Sequence, residues 1–211
     1  MFERIKGIIW DWNGTLLNDI ELCVQTINGM LEKRNLPQLS HASYKEVFSF
    51  PVKDYYQKIG FDFQNEAFEI PALEFISQYN LKVSECSLHQ DSIPLLNYFQ
   101  SIGIRQFILS AMKQDILEDC LQHYHINHFF EYVSGLDNHY AASKEENGHH
   151  LIADLNLDVS ELVFIGDTVH DFEVASALGC TCILIANGHQ SKNVLQSTGV
   201  LVFDRLDQLL S

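Results

Sequence analysis

The sequence predicts an α/β protein: a doubly wound (Rossmann-like) parallel sheet with an all-helical cap domain inserted after the first strand. Three observations predict it. From Leu88 onward, short apolar runs alternate with segments of helical periodicity. Several of those runs end in a polar residue able to do chemistry. The stretch of residues 18–82, by contrast, carries helical patterns and no convincing buried strand. Continuous apolar strands separated by helices build parallel sheets covered on both faces. Ligands of such sheets bind beyond the carboxyl ends of the strands. The expected division is an α/β core of residues 1–17 and 83–211 and a helical insert of residues 18–82.

The elements follow in order. Ile5, Ile8, Ile9 and Trp10 read as a buried first strand that breaks at Asp11-Trp12-Asn13-Gly14-Thr15. A carboxylate at the end of a buried strand is expensive unless it is paired, metal-bound or catalytic. An Asp-x-Asn-Gly turn that merely ends a strand is the bland alternative. From Asp19 to Arg34, Ile20, Val24, Ile27 and Leu31 fall at helical spacing, and Asn35-Leu36-Pro37 ends that helix. Further helical pieces run through Tyr44, Val47 and Phe48, then from Pro51 to a stop at Gly60, then through Phe68, Leu73, Phe75, Ile76 and Tyr79. After the insert, Ser92–Ser101 reads as a helix with Ile93, Leu96 and Phe99 on one side. Ile104–Leu109 is a strand ending at Ser110, and Gln114–His123 a helix. Glu131–Ser134 is a short strand and Lys144–Leu155 a helix. Leu162–Ile165 is a strand ending in Gly166-Asp167, followed by a helix over Phe172–Leu178. Cys180–Ile185 and Val200–Phe203 are the last strands, and Arg205–Leu210 a terminal helix.

Composition narrows the function classes. The chain has 211 residues, 46% of them hydrophobic, enough for one sizeable core and a smaller accessory unit. Its net charge of −15 disfavours general binding to nucleic acid or anionic lipid. No apolar run approaches the roughly 20 residues that span a bilayer, and the N-terminus lacks a signal-peptide pattern. Five cysteines without a CxxC pair or a disulfide-like framework indicate reduced thiols and a cytoplasmic setting. No nucleic acid and no membrane is expected as a partner, and the oligomeric state is left open. Because the chain is acidic, an anionic substrate requires a metal or a local cationic pocket to reverse the field.

The strand-end rule gathers the polar residues onto one rim. The first strand delivers Asp11, the strand FIL delivers Ser110, and the strand VFI delivers Asp167 with Asp171 four residues on. Lys144 heads a helix between the last two. The segments DWNGTLLND, ILSA, ASKEE and FIGDTVHD resemble the four motifs of the haloacid dehalogenase superfamily, and the insert resembles the helical cap of its phosphoglycolate phosphatase-like branch. That resemblance implies a magnesium-dependent phosphatase for small phosphate monoesters, with a small phosphorylated metabolite as its partner. It makes Asp11 the nucleophile that forms an aspartyl phosphate. It implies Mg2+ held by Asp11, the Asn13 backbone carbonyl and Asp167, with Asp171 completing the surroundings directly or through water. Ser110, with Ala111, would contact the phosphoryl oxygens, and Lys144 would neutralise carboxylates and substrate. Thr15 would orient the loop and Gly14 would permit its turn beside the phosphate.

Two positions depart from the phosphatase pattern. Asn13 stands where a second Asp usually donates a proton to the leaving alcohol and then activates water. An amide hydrogen-bonds but cannot transfer a proton, and acid–base assistance is worth about 10²–10⁴-fold. Lys144 is followed by Glu145 rather than the usual Pro. The absent acid admits four readings. One is a phosphatase that is slow or suited to good leaving groups. The others are a phosphonatase-like C–P hydrolase with Lys53 or Lys58 as a cap lysine, a dehalogenase, and a non-catalytic protein that binds a phosphorylated ligand. Phe50, Lys53 and Tyr56 are expected to face inward from the cap. The histidines at 123, 125, 128, 149 and 150 show no zinc-like register. His170 is placed at the mouth of the site, as a substrate contact or a solvent-facing spacer, and Asn187-Gly188-His189, past a strand's carboxyl end, reads as a turn, with lining of the rim as the alternative.

Overall fold

A computed structural model describes residue 2, residues 4–136 and residues 144–210. Ala142 and Ser143 of the ASKEE motif lie outside the described residues. Strand β1 (Gly7–Trp10) is buried along its length, as a central strand must be when helices cover both faces. The chain turns through residues 13–16 into β2 (Leu17–Asn18) and leaves the sheet. It then forms α1 (Ile20–Lys33), α2 (His41–Val47), α3 (Val52–Lys58) and α4 (Glu69–Asn80). It returns through β3 (Ser87–Leu88), which pairs antiparallel with β2, Leu17 opposite Leu88. Strand and helix then alternate: α5 (Ser92–Ser101), β4 (Arg105–Lys113), α6 (Gln114–His123), β5 (Tyr132–Leu136) and α7 (Lys144–Leu155). They continue with β6 (Leu162–Gly166), α8 (Val169–Leu178), β7 (Thr181–Ile185), α9 (Lys192–Gln196) and β8 (Leu201–Phe203).

Six strands pair in the order β5-β4-β1-β6-β7-β8, and every neighbouring pair is parallel. The chain builds outward from β1 through β4 to β5, then crosses back to β6 and builds the other half. The strand order therefore reverses at β1, the point where open parallel sheets bind ligands. Register sets the height of the functional residues. Trp10 lies level with Ile108 of β4 and Ile165 of β6. Asp11 comes one residue beyond that level, and Ser110 and Asp167 two.

Side chains alternate across the sheet. Ile8 and Trp10 enter one layer with Leu96, Phe99, Leu117 and Leu121 of α5 and α6. Ile9 enters the other with Leu151 of α7 and Val174 and Leu178 of α8. In the first layer the buried Gln106 ties strand to strand and helix. It accepts from Trp10 Nε1 at 3.1 Å and donates through Nε2 to the Leu96 carbonyl at 3.0 Å. The insert has its own ties. Arg34 at the end of α1 donates to Glu66 through both Nε and Nη2 at 2.8 Å and to Glu74 at 2.9 Å.

Three details differ from the sequence reading. The apolar face of α5 is Leu95, Leu96 and Phe99, while Ile93 is 44% exposed. Helix α8 begins at Val169 rather than Phe172, because Thr168 and Asp171 form a capping box. The pair β2–β3 and the helix α9 are too short to carry a periodic signal.

Replacing Gln106 by Leu removes a hydrogen bond from both Trp10 and Leu96 in a dry layer. The buried Trp10 Nε1–H is left without an acceptor at a cost of about 1–3 kcal/mol, while the Leu96 carbonyl stays in the α5 ladder, so Gln106→Leu is expected to lower the unfolding free energy by about 1–3 kcal/mol in urea titrations. A loss below about 0.5 kcal/mol would show that these bonds contribute little.

Candidate active site

The rim beyond β1 and β6 holds three carboxylates. Oxygens of Asp11, Asp167 and Asp171 lie within 4.8 Å of one another, and all three residues are buried. Lys144, at the head of α7, donates to Asp11 Oδ1 and, at 2.6 Å, to Asp171 Oδ1. Asp171 Oδ2 accepts from Asp167 N, Thr168 N and Thr168 Oγ1 at 3.1, 2.9 and 2.7 Å. Both of its oxygens are thus engaged. Asp167 accepts from Thr15 Oγ1 at 2.9 Å and from the His189 amide. Among the described residues Asp11 Oδ2 has only a longer contact from Thr15, at 3.3 Å, and a hydroxyl has one proton to share between them.

The charges do not balance within this group. Burial, then the neighbouring carboxylates Asp171 and Asp167, raise the Asp11 carboxyl well above its usual range despite Lys144. Burial and Asp171 push Asp167 up to about 6 against the opposing pull of His189. For Asp171, burial is outweighed by Lys144 and Thr168, and its carboxyl is held low. Three hard oxygen donors short of positive charge are what a divalent cation such as magnesium requires.

Small residues make the crowding possible. A Cβ at Gly188 would stand 2.1 Å from Asp167 Oδ2, and one at Gly14 2.3 Å. Gly14 also adopts φ +78°, in the left-handed region. Ser110 is fully buried and its Oγ accepts from Met112 N at 3.0 Å. Its own proton has no acceptor among the described residues. Ala111 follows it on the rim and is exposed.

Sequence reasoning missed a second network beside the first. Asp19 precedes α1 but makes no cap hydrogen bond. It turns back and accepts from Gly14 N at 2.9 Å, Asn13 Nδ2 at 2.9 Å and Tyr79 OH at 2.6 Å. Its Oδ1 pairs with His189 Nε2 at 3.2 Å, and His189 Nδ1 meets Tyr44 OH at 3.0 Å. Burial opposes charging of both partners, yet their mutual attraction wins. The Asp19 carboxyl is held low and the His189 imidazole is raised to about 9. Asn13 Nδ2 is also 2.7 Å from Tyr79 OH, so the amide is locked between the insert and the turn. The available signals were an Asp at a helix start and a His just past a strand end, both of which ordinary turns also carry.

Above the carboxylates lies a cavity of about 500 Å³, reached by Asp11, Asn13, Lys144 and Asp171 from below. Phe50 and Tyr56 line it as expected, and so does His170. Lys53 does not. Helix α3 buries Tyr55 and Tyr56, which turns Lys53 and Lys58 to solvent. The Lys53 ammonium lies 6.0 Å from the Phe63 ring centroid. The substrate contact expected of Lys53 is therefore corrected, and with it the cap lysine that a phosphonatase requires.

A family model described as haloacid dehalogenase-like hydrolase matches residues 8–185. The tyrosine-protein kinase PtkA of Mycobacterium tuberculosis is 22% identical over 202 residues, covering 95% of this chain and 68% of that protein. Its solved structure matches with a TM-score of 0.81 at 21% identity, over 98% of this chain and 97% of that chain. A predicted phosphatase from Clostridium acetobutylicum matches with a TM-score of 0.81 at 18% identity, over 97% and 96%. A predicted phosphoglycolate phosphatase from Haemophilus somnus matches with 0.75 at 18% identity, over 100% and 98%. At these identities the likeness to solved structures establishes a shared fold.

The raised His189 imidazole has a consequence for stability. A group whose folded pKa exceeds its unfolded value of about 6.5 stabilises fully below 6.5 and loses that contribution as pH rises through 9. In chelator, the wild type should lose on the order of 3 kcal/mol between pH 6.5 and 9.5 relative to His189→Gln. Parallel pH profiles for the two proteins would remove the imidazolium as the cause.

Proposed function

We propose that this chain, which belongs to the haloacid dehalogenase-like hydrolases, is a magnesium-dependent phosphatase acting on a small phosphate monoester through an aspartyl phosphate. The observation that carries this reading is the buried group Asp11–Asp167–Asp171 with Lys144, seated at the reversal point of the sheet and opening into a cavity. Asp11 and Asp167 have the less committed oxygens, so they, with the Asn13 carbonyl, would hold the metal. Asp171 would anchor Lys144. A bound magnesium ion would neutralise phosphoryl charge and so lower the barrier to attack.

The chain's own groups account for the remaining chemistry. Lys144 holds Asp11 Oδ1, which leaves Oδ2 to attack phosphorus. The ester P–O bond breaks and its electron pair departs on the leaving oxygen. Ser110 is placed to donate its uncommitted proton to a phosphoryl oxygen. Water then attacks the aspartyl phosphate, releasing phosphate and restoring the carboxylate. Asn13 supplies no proton in either step.

The other readings receive less support. The helical insert brings no lysine to the cavity for an imine. The carboxylate cluster fits a cation better than a displaced halide. A kinase reading, raised by the mycobacterial relative's name, needs a nucleotide site, and the insert gives the cavity no cationic side chain for a polyphosphate.

Phosphate release from an aryl phosphate should require magnesium, stop with chelator, and fall at least about 10³-fold in Asp11→Asn. Release without a divalent metal, or from Asp11→Asn at the wild-type rate, would refute the reading. Asn13→Asp would set a second carboxylate 2.9 Å from Asp19 Oδ2, and like charges so close share a proton, as a general acid must. That variant should speed alkyl phosphates by about 10²-fold and aryl phosphates much less. Equal gains would count against a missing acid.

A further inference from the structure

We infer that the site selects small aryl phosphates whose leaving group is apolar, an assignment that rests on the phosphatase reading and names its substrate class. Two independent features point to it. The first is the wall that a leaving group must meet. With the phosphoryl group at Asp11, the rest of the substrate extends into the cavity under the insert. Phe48, Phe50, Tyr56, Phe68, Phe75 and Ile76 form much of that wall. Apart from Asp19, whose charge His189 balances, the insert contributes one ionic residue to the lining among the described residues, the anion Glu69. Arg34, the nearest candidate cation of the insert, is held by Glu66 and Glu74 and is absent from the lining. The rim cations are engaged as well. Lys144 is shared by two carboxylates, Lys113 pairs with Asp115, and His170 packs against Phe50 at 4.7 Å and faces Glu173 at 3.4 Å.

A carboxylate on the leaving group would thus be buried without a partner, which is costly. Phosphoglycolate carries one. An aromatic or aliphatic body instead gains from burial and from edge or face contacts with the rings.

The second feature is the leaving oxygen itself. Asn13 has no proton to transfer, and its Nδ2 is committed to Asp19 and Tyr79. The Tyr79 hydroxyl donates to Asp19. Both oxygens of Asp19 are taken up by the Gly14 amide, Asn13 Nδ2, Tyr79 OH and His189 Nε2, so Asp19 offers no donor to the leaving oxygen. His189 also lines the cavity, but its two ring nitrogens are engaged by Asp19 and by Tyr44 OH, so a leaving group departs as an anion and takes its proton from water afterwards. A phenol, with a pKa of about 10, tolerates this. An alkanol, about as weak an acid as water at about 15.7, does not. In balance, a bond forms from Asp11 to phosphorus while the aryl–O–P bond breaks. The pair leaves on phenolate oxygen, and water then returns Asp11 to its carboxylate with release of phosphate. The wall and the missing acid act on different parts of the substrate, and one compound class satisfies both.

The experiment is a four-compound comparison with magnesium: 2-naphthyl phosphate, 2-(naphthyl)ethyl phosphate, 4-carboxyphenyl phosphate and phosphoglycolate. 2-Naphthyl phosphate should show the highest kcat/KM, about 10²-fold or more above phosphoglycolate. The naphthylethyl ester should match its KM but fall in kcat, and the carboxyphenyl ester should match its kcat but rise in KM. Leu73→Lys, at a lining position 44% exposed and so tolerant of lysine, should raise kcat/KM for the carboxyphenyl ester and lower it for the naphthyl ester. Ile76→Lys should do the same if its circular dichroism is unchanged. Phosphoglycolate turned over as well as 2-naphthyl phosphate would overturn the assignment alone. So would naphthylethyl or carboxyphenyl esters equal to it, or lysine variants with an unaltered ranking. Phosphate release from none of the four would overturn the phosphatase reading and this assignment with it.

Discussion

Three carboxylates held within 4.8 Å of one another inside a protein are the constraint around which the rest of this molecule is arranged. One ammonium, Lys144, bridges two of them and leaves the group with surplus negative charge. Glycine at 14 and 188 leaves the space in which Asp167 sits. The parallel register of β1 with β4 and β6 brings the strand ends to one level. Main-chain amides and hydroxyls of the α8 capping box saturate one oxygen of Asp171. What remains least compensated is the face of Asp11 and Asp167, a set of hard oxygen donors suited to a cation.

The Asp19–His189 pair couples this core to the insert. His189 reaches Asp167 through its amide, Asp19 through its ring and Tyr44 of α2 through the other ring nitrogen. Further contacts follow the same seam: Lys45 Nζ donates to the Ala186 carbonyl and Gln190 Nε2 to the Phe48 carbonyl. The segment after β7 thus binds both the buried carboxylate cluster and the helices that roof it. The placement of Asn13 is a by-product of this seam. Its amide is fixed by Asp19 and by Tyr79 of α4, so the residue that departs from the phosphatase pattern is also a hydrogen-bonded link between turn and roof.

Roof and floor contrast in character. The floor is ionic and densely hydrogen-bonded, with Asp11 Oδ2 and the Ser110 hydroxyl proton left over. The roof is aromatic, with rings of α2, α3 and α4 packed edge to face, such as Tyr55 on Tyr44 and on Phe48. The cavity therefore offers two environments, an ionic one at the carboxylates and an apolar one under the insert. A roof of this kind excludes water from the reacting atoms without supplying charge of its own.

Much of this was legible in the order of residues. Apolar runs ending in Asp11, Ser110 and Asp167 determine a parallel sheet with a polar rim, because strand length and burial are local properties of sequence. The four motif segments and the departure at Asn13 are equally local. Lys53 was not, since one turn of α3 decides whether a lysine faces the cavity or solvent, and the packing of Tyr55 and Tyr56 makes that choice. Nor were Asp19 and His189, separated by 170 positions, whose charges become meaningful only when the fold buries them 3.2 Å apart. The sequence by itself determined which groups can do chemistry and on which strand each arrives. The tertiary structure alone decided which charges are balanced, which are left short and what surface faces the substrate, because burial and pairing are properties of neighbours in space.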